Sequence, residues 1–197
     1  MPESTATAVA QSRSSPSPSA QGAAALAPLT LILGGARSGK SAYAEGLFAG
    51  HRAPIYVATA QGSDSEMDAR IAEHRARRGA VWTTVEVSHH LAAGLISVAA
   101  PEKAILVDCL TLWLSNLMGS GKSIEVEIER LISALPTLPS PVVFVSNEVG
   151  LGIVPDNALA RQFRDHAGRL NQRLAQLAQR VVFVAAGLPL ILKDEWK

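Results

Sequence analysis

The stretch Gly34-Gly35-Ala36-Arg37-Ser38-Gly39-Lys40-Ser41 constrains this chain more than any other feature. It follows the apolar run Leu29 to Leu33 and fits GxxxxGK[ST], so a buried strand must turn there into a helix around a phosphate-binding loop. Glycines let main-chain N–H groups wrap an anion, the start of the helix directs its positive end at it, and Lys40 adds a mobile charge. Ser41 offers its hydroxyl to a magnesium ion. An ordinary Gly/Ser loop would need neither Lys-Ser at its last two positions nor an apolar strand before it.

From Leu29 onward, short β-rich apolar runs alternate with segments of helical period, the sequence form of a parallel α/β sheet. Strands are expected at Leu29 to Leu33, Pro54 to Ala58, Ala104 to Val107, Val142 to Ser146 and Val181 to Ala185, with a short one around Trp82 to Val85. Their apolar content without strict alternation suits strands covered on both faces. After Pro155-Asp156, the residues Leu159, Phe163, Ala167, Leu170, Leu174 and Leu177 recur at steps of three and four and predict a helix. Arg161, Asp165, Arg169 and Arg173 fall on another face, and Gly168 inside the pattern is expected to mark a close approach to another backbone. Gly187-Leu188-Pro189 reads as a turn into Leu190 to Leu192, hence a terminal antiparallel hairpin. The expected fold class is α/β: a P-loop NTPase-like three-layer fold with a mostly parallel central sheet and a C-terminal antiparallel hairpin.

Residues 1–27 are mostly Ala, Ser, Pro, Gln and Thr with only Glu3 and Arg13 charged, a composition that reads as a disordered tail ahead of one domain over 28–197. The apolar stretch Ala23 to Leu33 is too short to span a bilayer, so no stable membrane insertion is expected. A formal net charge of +1 gives no overall field to recruit nucleic acid. The single cysteine, Cys109, forms no internal disulfide and suits a reducing, cytoplasmic setting.

A magnesium site beside such a loop also needs a carboxylate at the end of a neighbouring strand, and Asp108 directly follows Ala104 to Val107. The competing role for Asp108 is to cap a helix starting at Cys109. Arg70, His74, Arg77 and Arg78 share one face of a helix-like segment. That surrounds an imidazole with guanidiniums, which disfavour its proton and would offset charge on a phosphate. From spacing alone, a solvated basic helix with an incidental histidine is the stronger reading of that face. His51, His89, His90 and His166 have weaker claims as nucleophiles. Glu86 either holds a ribose hydroxyl or caps a helix beginning near Ser88, and spacing does not separate the two. The run Ser146 to Gly152 should emerge at the carboxyl edge of the sheet beside the phosphates, as a substrate loop or as plain linkage.

Taken in order, GGARSGKS at 34–41, Tyr56-Val57-Ala58-Thr59-Ala60, Glu66-Met67 with Arg70-Ile71 and His74-Arg75, Trp82 to Glu86, NEVGLGIVP at 147–155, and Leu159 to Asp165 with Gly168-Arg169 and Asn171 to Leu174 resemble the bifunctional adenosylcobinamide kinase and adenosylcobinamide-phosphate guanylyltransferase of cobalamin biosynthesis. The resemblance spans Leu29 to Lys193. It implies phosphorylation of adenosylcobinamide by ATP or GTP, then transfer of GMP from GTP to adenosylcobinamide phosphate through a covalent GMP-histidine. By position that histidine is His74, so the resemblance favours catalysis where spacing alone favours a solvated helix. The same matching implies that Ala58, Thr59, Ala60, Arg75, Ala76, Arg77, Arg78, Glu86 and Asp108 contact GTP beside the loop Gly34 to Ser41. Ser41 and Asp108 then hold Mg2+. Members of the family often carry two histidines where this chain has Glu73-His74, and Ala60 stands where some have serine. The resemblance further implies a homo-oligomer, a trimer in which the His74 helix meets a neighbouring subunit.

Two other readings compete. A kinase of another small molecule would use the same loop with His74 merely structural. A GTP-dependent switch would need an NKxD-type base reader, which Asn147-Glu148 is not, and the DxxG match at Asp165 to Gly168 lies inside the helical pattern rather than after a strand.

Overall fold

The computed structural model describes residues 25–60 and 81–196, and every structural statement here concerns those residues. Seven strands form one sheet: β1 (Leu29–Gly34), β2 (Ile55–Ala58), β3 (Thr83–Glu86), β4 (Ile105–Asp108), β5 (Val142–Asn147), β6 (Arg180–Ala185) and β7 (Leu188–Asp194). Five α-helices accompany them: α1 (Lys40–Gly46), α2 (Leu91–Val98), α3 (Leu110–Gly119), α4 (Ile124–Ala134) and α5 (Ala158–Leu177). The strand order is β3-β2-β4-β5-β1-β6-β7. All neighbours are parallel except β6 and β7, which form the expected antiparallel hairpin.

Successive residues of one strand enter opposite faces of the sheet, and both faces are covered. Leu29, Leu31 and Leu33 of β1, Ile105 and Val107 of β4, and Val142 and Phe144 of β5 pack with Leu95, Trp113, Leu131 and Leu170 from α2 to α5. Ile32, Leu106, Val143 and Val145 face the other way, onto Ala44 of α1 and Phe48 just beyond it. The result is helix, sheet and helices, the three layers expected from the lack of alternation. Leu31 is fully buried at the centre of β1. Leu31→Ala is therefore expected to lower unfolding free energy by about 3 kcal/mol, read as a reduced urea midpoint at unchanged slope.

Every core strand predicted from the sequence is present, with one end or both differing by a single residue. At the carboxyl end the extra residue is polar or glycine: Gly34, Asp108 and Asn147 continue β1, β4 and β5. The long helix also forms, with Asn157 accepting from the Ala160 N–H at 2.8 Å as its N-cap. Its buried face is Ala167, Leu170, Asn171 and Leu174, while Leu159 is exposed. The expectation for Gly168 is overturned. A side chain there would meet nothing within 4 Å beyond the helix's own backbone, so the glycine serves no close approach.

Candidate active site

The parallel register gathers the polar strand ends on one edge. Ala58 lies opposite Glu86 on one side and Asp108 on the other, Asp108 pairs with Val145, and Asn147 pairs with Gly34. Residues scattered over the chain thus meet at the carboxyl edge, where open parallel sheets bind ligands.

The loop Gly34 to Ser41 is shaped by its backbone. Arg37 and Gly39 both take positive φ, 56° and 94°. Such alternation turns main-chain N–H groups into a concave anion nest. A side chain at Gly34 would strike the Val184 carbonyl oxygen and come within 2.6 Å of Ser38 Oγ, and one at Gly39 would come within 3.1 Å of Gly187 Cα. The loop is braced from outside by Gly187 N–H donating to the Ser38 carbonyl at 2.8 Å and by Glu148 N–H donating to the Gly34 carbonyl at 3.1 Å. The terminal hairpin and the loop after β5 therefore both clamp it.

Lys40 opens α1 and is buried, with its ammonium donating to the Gly35 carbonyl at 3.0 Å across the loop. Ser38 Oγ is buried and has no hydrogen-bond partner among the described residues. A buried cation beside an orphaned hydroxyl fits a polyphosphate, which would supply acceptors for both. Ala36 and Arg37 form the outer turn of the loop and are exposed.

Asp108 ends β4 and accepts from Tyr56 Oη at 3.1 Å. Tyr56 is itself set by Trp82, whose ring stands edge-on to it at 6.0 Å. Asp108 does not cap the following helix: Cys109 is the N-cap residue of α3 and no side chain caps it. Since α1 packs against β4, the helix carrying Ser41 and the strand carrying Asp108 are brought together. A hydroxyl and a carboxylate are the hard oxygen donors that suit magnesium, which keeps several waters and takes one or two protein ligands. Glu86 is likewise no cap, because α2 starts at Leu91 with His90 as its N-cap residue.

Thr59 is fully buried, and its hydroxyl donates to the Cys109 carbonyl at 2.7 Å while accepting from the Cys109 N–H at 2.9 Å. These two hydrogen bonds lock the segment after β2 to the turn after β4. Burial, and then the Asp108 carboxylate, push the Cys109 thiol above its ordinary value, so it stays a neutral thiol at neutral pH. Asn116 of α3 donates to the Thr59 carbonyl at 2.8 Å and the Ser88 carbonyl at 3.0 Å, tying the ends of β2 and β3 to the same helix. Sequence reasoning passed over Asn116, and named Tyr56 and Asn171 only within matching stretches, with no site role. The signal for the two asparagines was an amide inside an otherwise apolar helix face, which a core position does not favour without partners.

Residues 61–80, with Arg70, His74, Arg75, Ala76, Arg77 and Arg78, lie outside the described residues. Asp165 to Gly168 sits within α5, so the DxxG match has no loop to act from. Among the described residues, no helix is long and apolar enough to cross a membrane, and no group of three or more His, Cys, Asp or Glu side chains could hold a metal ion.

A family model described as cobinamide kinase / cobinamide phosphate guanyltransferase matches residues 30–192. The chain belongs to that family. Its likeness to the bifunctional adenosylcobalamin biosynthesis protein CobP of Pseudomonas aeruginosa is 51% identity over 168 residues, covering 84% of this chain and 97% of the relative. With the bifunctional adenosylcobalamin biosynthesis protein CobU of Salmonella typhimurium it shares 43% over 180 residues, covering 84% and 99%. As a member of the cobinamide kinase / cobinamide phosphate guanyltransferase family, the chain carries both the phosphate loop and residues 61–80 within the matched span. Among solved structures, an ATPase of a bacterial type III secretion system superposes with a TM-score of 0.53 at 13% identity, covering 85% of this chain and 56% of that one. A protein of Pyrococcus horikoshii OT3 superposes at 0.51 and 10% identity, covering 87% and 89%. At those identities the likeness is one of fold.

Proposed function

We propose that this chain phosphorylates the aminopropanol hydroxyl of adenosylcobinamide with ATP or GTP, then transfers GMP from GTP to the resulting phosphate through a GMP-histidine at His74, giving adenosylcobinamide-GDP. The reading is carried by the family match across residues 30–192, which joins an intact phosphate loop to the segment holding His74. In the kinase half, Lys40 and the N–H groups of Gly34 to Ser41 bind the phosphates and offset the charge of the transferring group. Ser41 and Asp108 would hold Mg2+, which neutralises phosphate charge when bound. In the transferase half, an imidazole nitrogen of His74 forms a bond to the α-phosphorus of GTP as pyrophosphate leaves. An oxygen of adenosylcobinamide phosphate then displaces the histidine at the same phosphorus. Arg75, Ala76, Arg77, Arg78, Ala58, Thr59, Ala60 and Glu86 surround the nucleotide in this reading, and the working protein is a cytoplasmic homo-oligomer, a trimer.

Incubating the purified protein with magnesium and α-labelled GTP tests the transferase half. The expected result is a labelled band after denaturing electrophoresis whose label is lost in acid and kept in base, as a phosphoramidate requires. Phosphorylation of adenosylcobinamide without any such band would leave a P-loop kinase and return His74 to a structural role.

A further inference from the structure

We propose that Glu148 accepts the proton of the acceptor hydroxyl during phosphoryl transfer, and that the aliphatic loop following it holds the body of that acceptor. This rests on the kinase reading above and names the acceptor side of the same site. Three carboxylates stand at the carboxyl edge of the sheet: Glu86, Asp108 and Glu148. Glu86 ends β3, separated from the phosphate-loop strand β1 by β2, β4 and β5. Asp108 is committed to Tyr56 Oη and stands where a metal ligand is needed. Glu148 directly follows β5, the strand beside β1, and its own N–H is bonded to the Gly34 carbonyl. Of these three carboxylates, Glu148 is the one whose main-chain N–H is bonded to the first glycine of the phosphate loop.

The side chain is held for the task. Glu148 Oε1 accepts from the Gly150 N–H at 2.5 Å, and no basic side chain pairs with it among the described residues. That leaves the second oxygen available to a ligand hydroxyl. A Cβ at position 150 would lie 2.8 Å from Glu148 Oε1, so the glycine lets the N–H come close and fixes the carboxylate. Glu148 is half-buried, held beside the loop yet open enough for a substrate hydroxyl to reach it.

The chain beyond it has an uncommon surface. Leu151 is 81% exposed, Ile153 98%, Val154 63% and Leu159 65%, four large aliphatic side chains within nine residues. Such a concentration, beginning three residues after a main chain bonded to the phosphate loop, suits a binding surface for an apolar body. An acceptor with a bulky, methyl-rich framework and one reacting hydroxyl on a short arm matches a run of exposed aliphatic side chains that follows a carboxylate in the chain.

In the step itself, the hydroxyl oxygen forms a bond to the γ-phosphorus and the bond from that phosphorus to the β-phosphate oxygen breaks. The hydroxyl proton passes to the free oxygen of Glu148, and the nucleoside diphosphate leaves with the bonding electron pair.

Glu148→Gln keeps the shape and an acceptor for the Gly150 N–H while removing the base. Its kinase kcat is expected to fall about 10²-fold with acceptor KM nearly unchanged. The acid-side limb of the wild-type kcat–pH profile, where a protonated carboxylate takes no proton, should vanish. Glu148→Asp should recover part of the rate, and labelling by α-labelled GTP should be unaffected in both variants. Ile153→Ser should raise acceptor KM about tenfold at unchanged kcat. Wild-type kcat and pH profile in Glu148→Gln would overturn the assignment while leaving the kinase reading intact. Wild-type protein that transfers no γ-phosphate to adenosylcobinamide would overturn both.

Discussion

Protein carrying His74→Ala is expected to take up no label from α-labelled GTP, a loss on the order of 10⁴-fold or more, while still passing the γ-phosphate to adenosylcobinamide. The nucleophile in the proposed transfer is an imidazole nitrogen, and alanine offers no atom to take its place. The other histidines are poorly placed to substitute. His89 Nδ1 lies 2.9 Å from Ser88 Oγ, His90 Nδ1 3.3 Å from Glu127, and His166 Nδ1 3.6 Å from Glu125. His51 sits in the turns after α1, packed on Phe48 at 5.8 Å. The guanidiniums of Arg70, Arg77 and Arg78 remain in the variant, so GTP binding should persist. Binding without labelling would separate loss of the nucleophile from loss of the site. Undiminished acid-labile label in His74→Ala would move the covalent step to another residue.

The sheet was legible in the sequence because its strands are buried on both faces, and apolar runs such as Ile105 to Val107 between polar stretches leave few alternatives. The strand ends were less so. Asp108 and Asn147 carry no apolar signal, yet they extend β4 and β5 because parallel pairing with Ala58 and Gly34 continues through the backbone. Strand order had no local signal either: that β5 inserts between β1 and β4 follows from long-range pairing, and it is this insertion that sets Asn147 and Glu148 beside the phosphate loop. The phosphate loop and Asp108 stand out in the sequence because the chemistry proposed for them demands fixed residue types after a strand, and the structure does put both at strand ends. The supports could not. Tyr56 reaches Asp108 across 52 positions and Asn116 reaches Thr59 across 57, and a polar residue in an apolar run announces a partner without naming it. Gly168 shows the opposite error, since a glycine inside a helix suggested a close approach and the structure leaves that side open.

Lys40→Ala should lower kcat/KM of phosphoryl transfer by about 10³-fold, the scale expected when a charged donor aimed at developing phosphate charge is removed from a shielded site. Lys40 is only 8% exposed and its ammonium lies across the loop on the Gly35 carbonyl, so the charge it supplies is shielded from bulk water. The fold should not suffer. Alanine is a good helix former at the first residue of α1, and the loop keeps its braces from Gly187 and Glu148. Thermal unfolding without nucleotide should therefore be close to wild type, and the variant should lose most of the stabilisation that saturating nucleotide gives, about 2.7 kcal/mol at a hundredfold excess over Kd. Undiminished phosphoryl transfer would mean that the loop does not hold the reacting phosphates. The same variant separates two arrangements of the bifunctional site. If kinase and transferase share one nucleotide cradle, labelling by α-labelled GTP falls together with phosphoryl transfer. If His74 works on a second bound GTP, labelling survives, because the charge lost with Lys40 belongs to the other nucleotide.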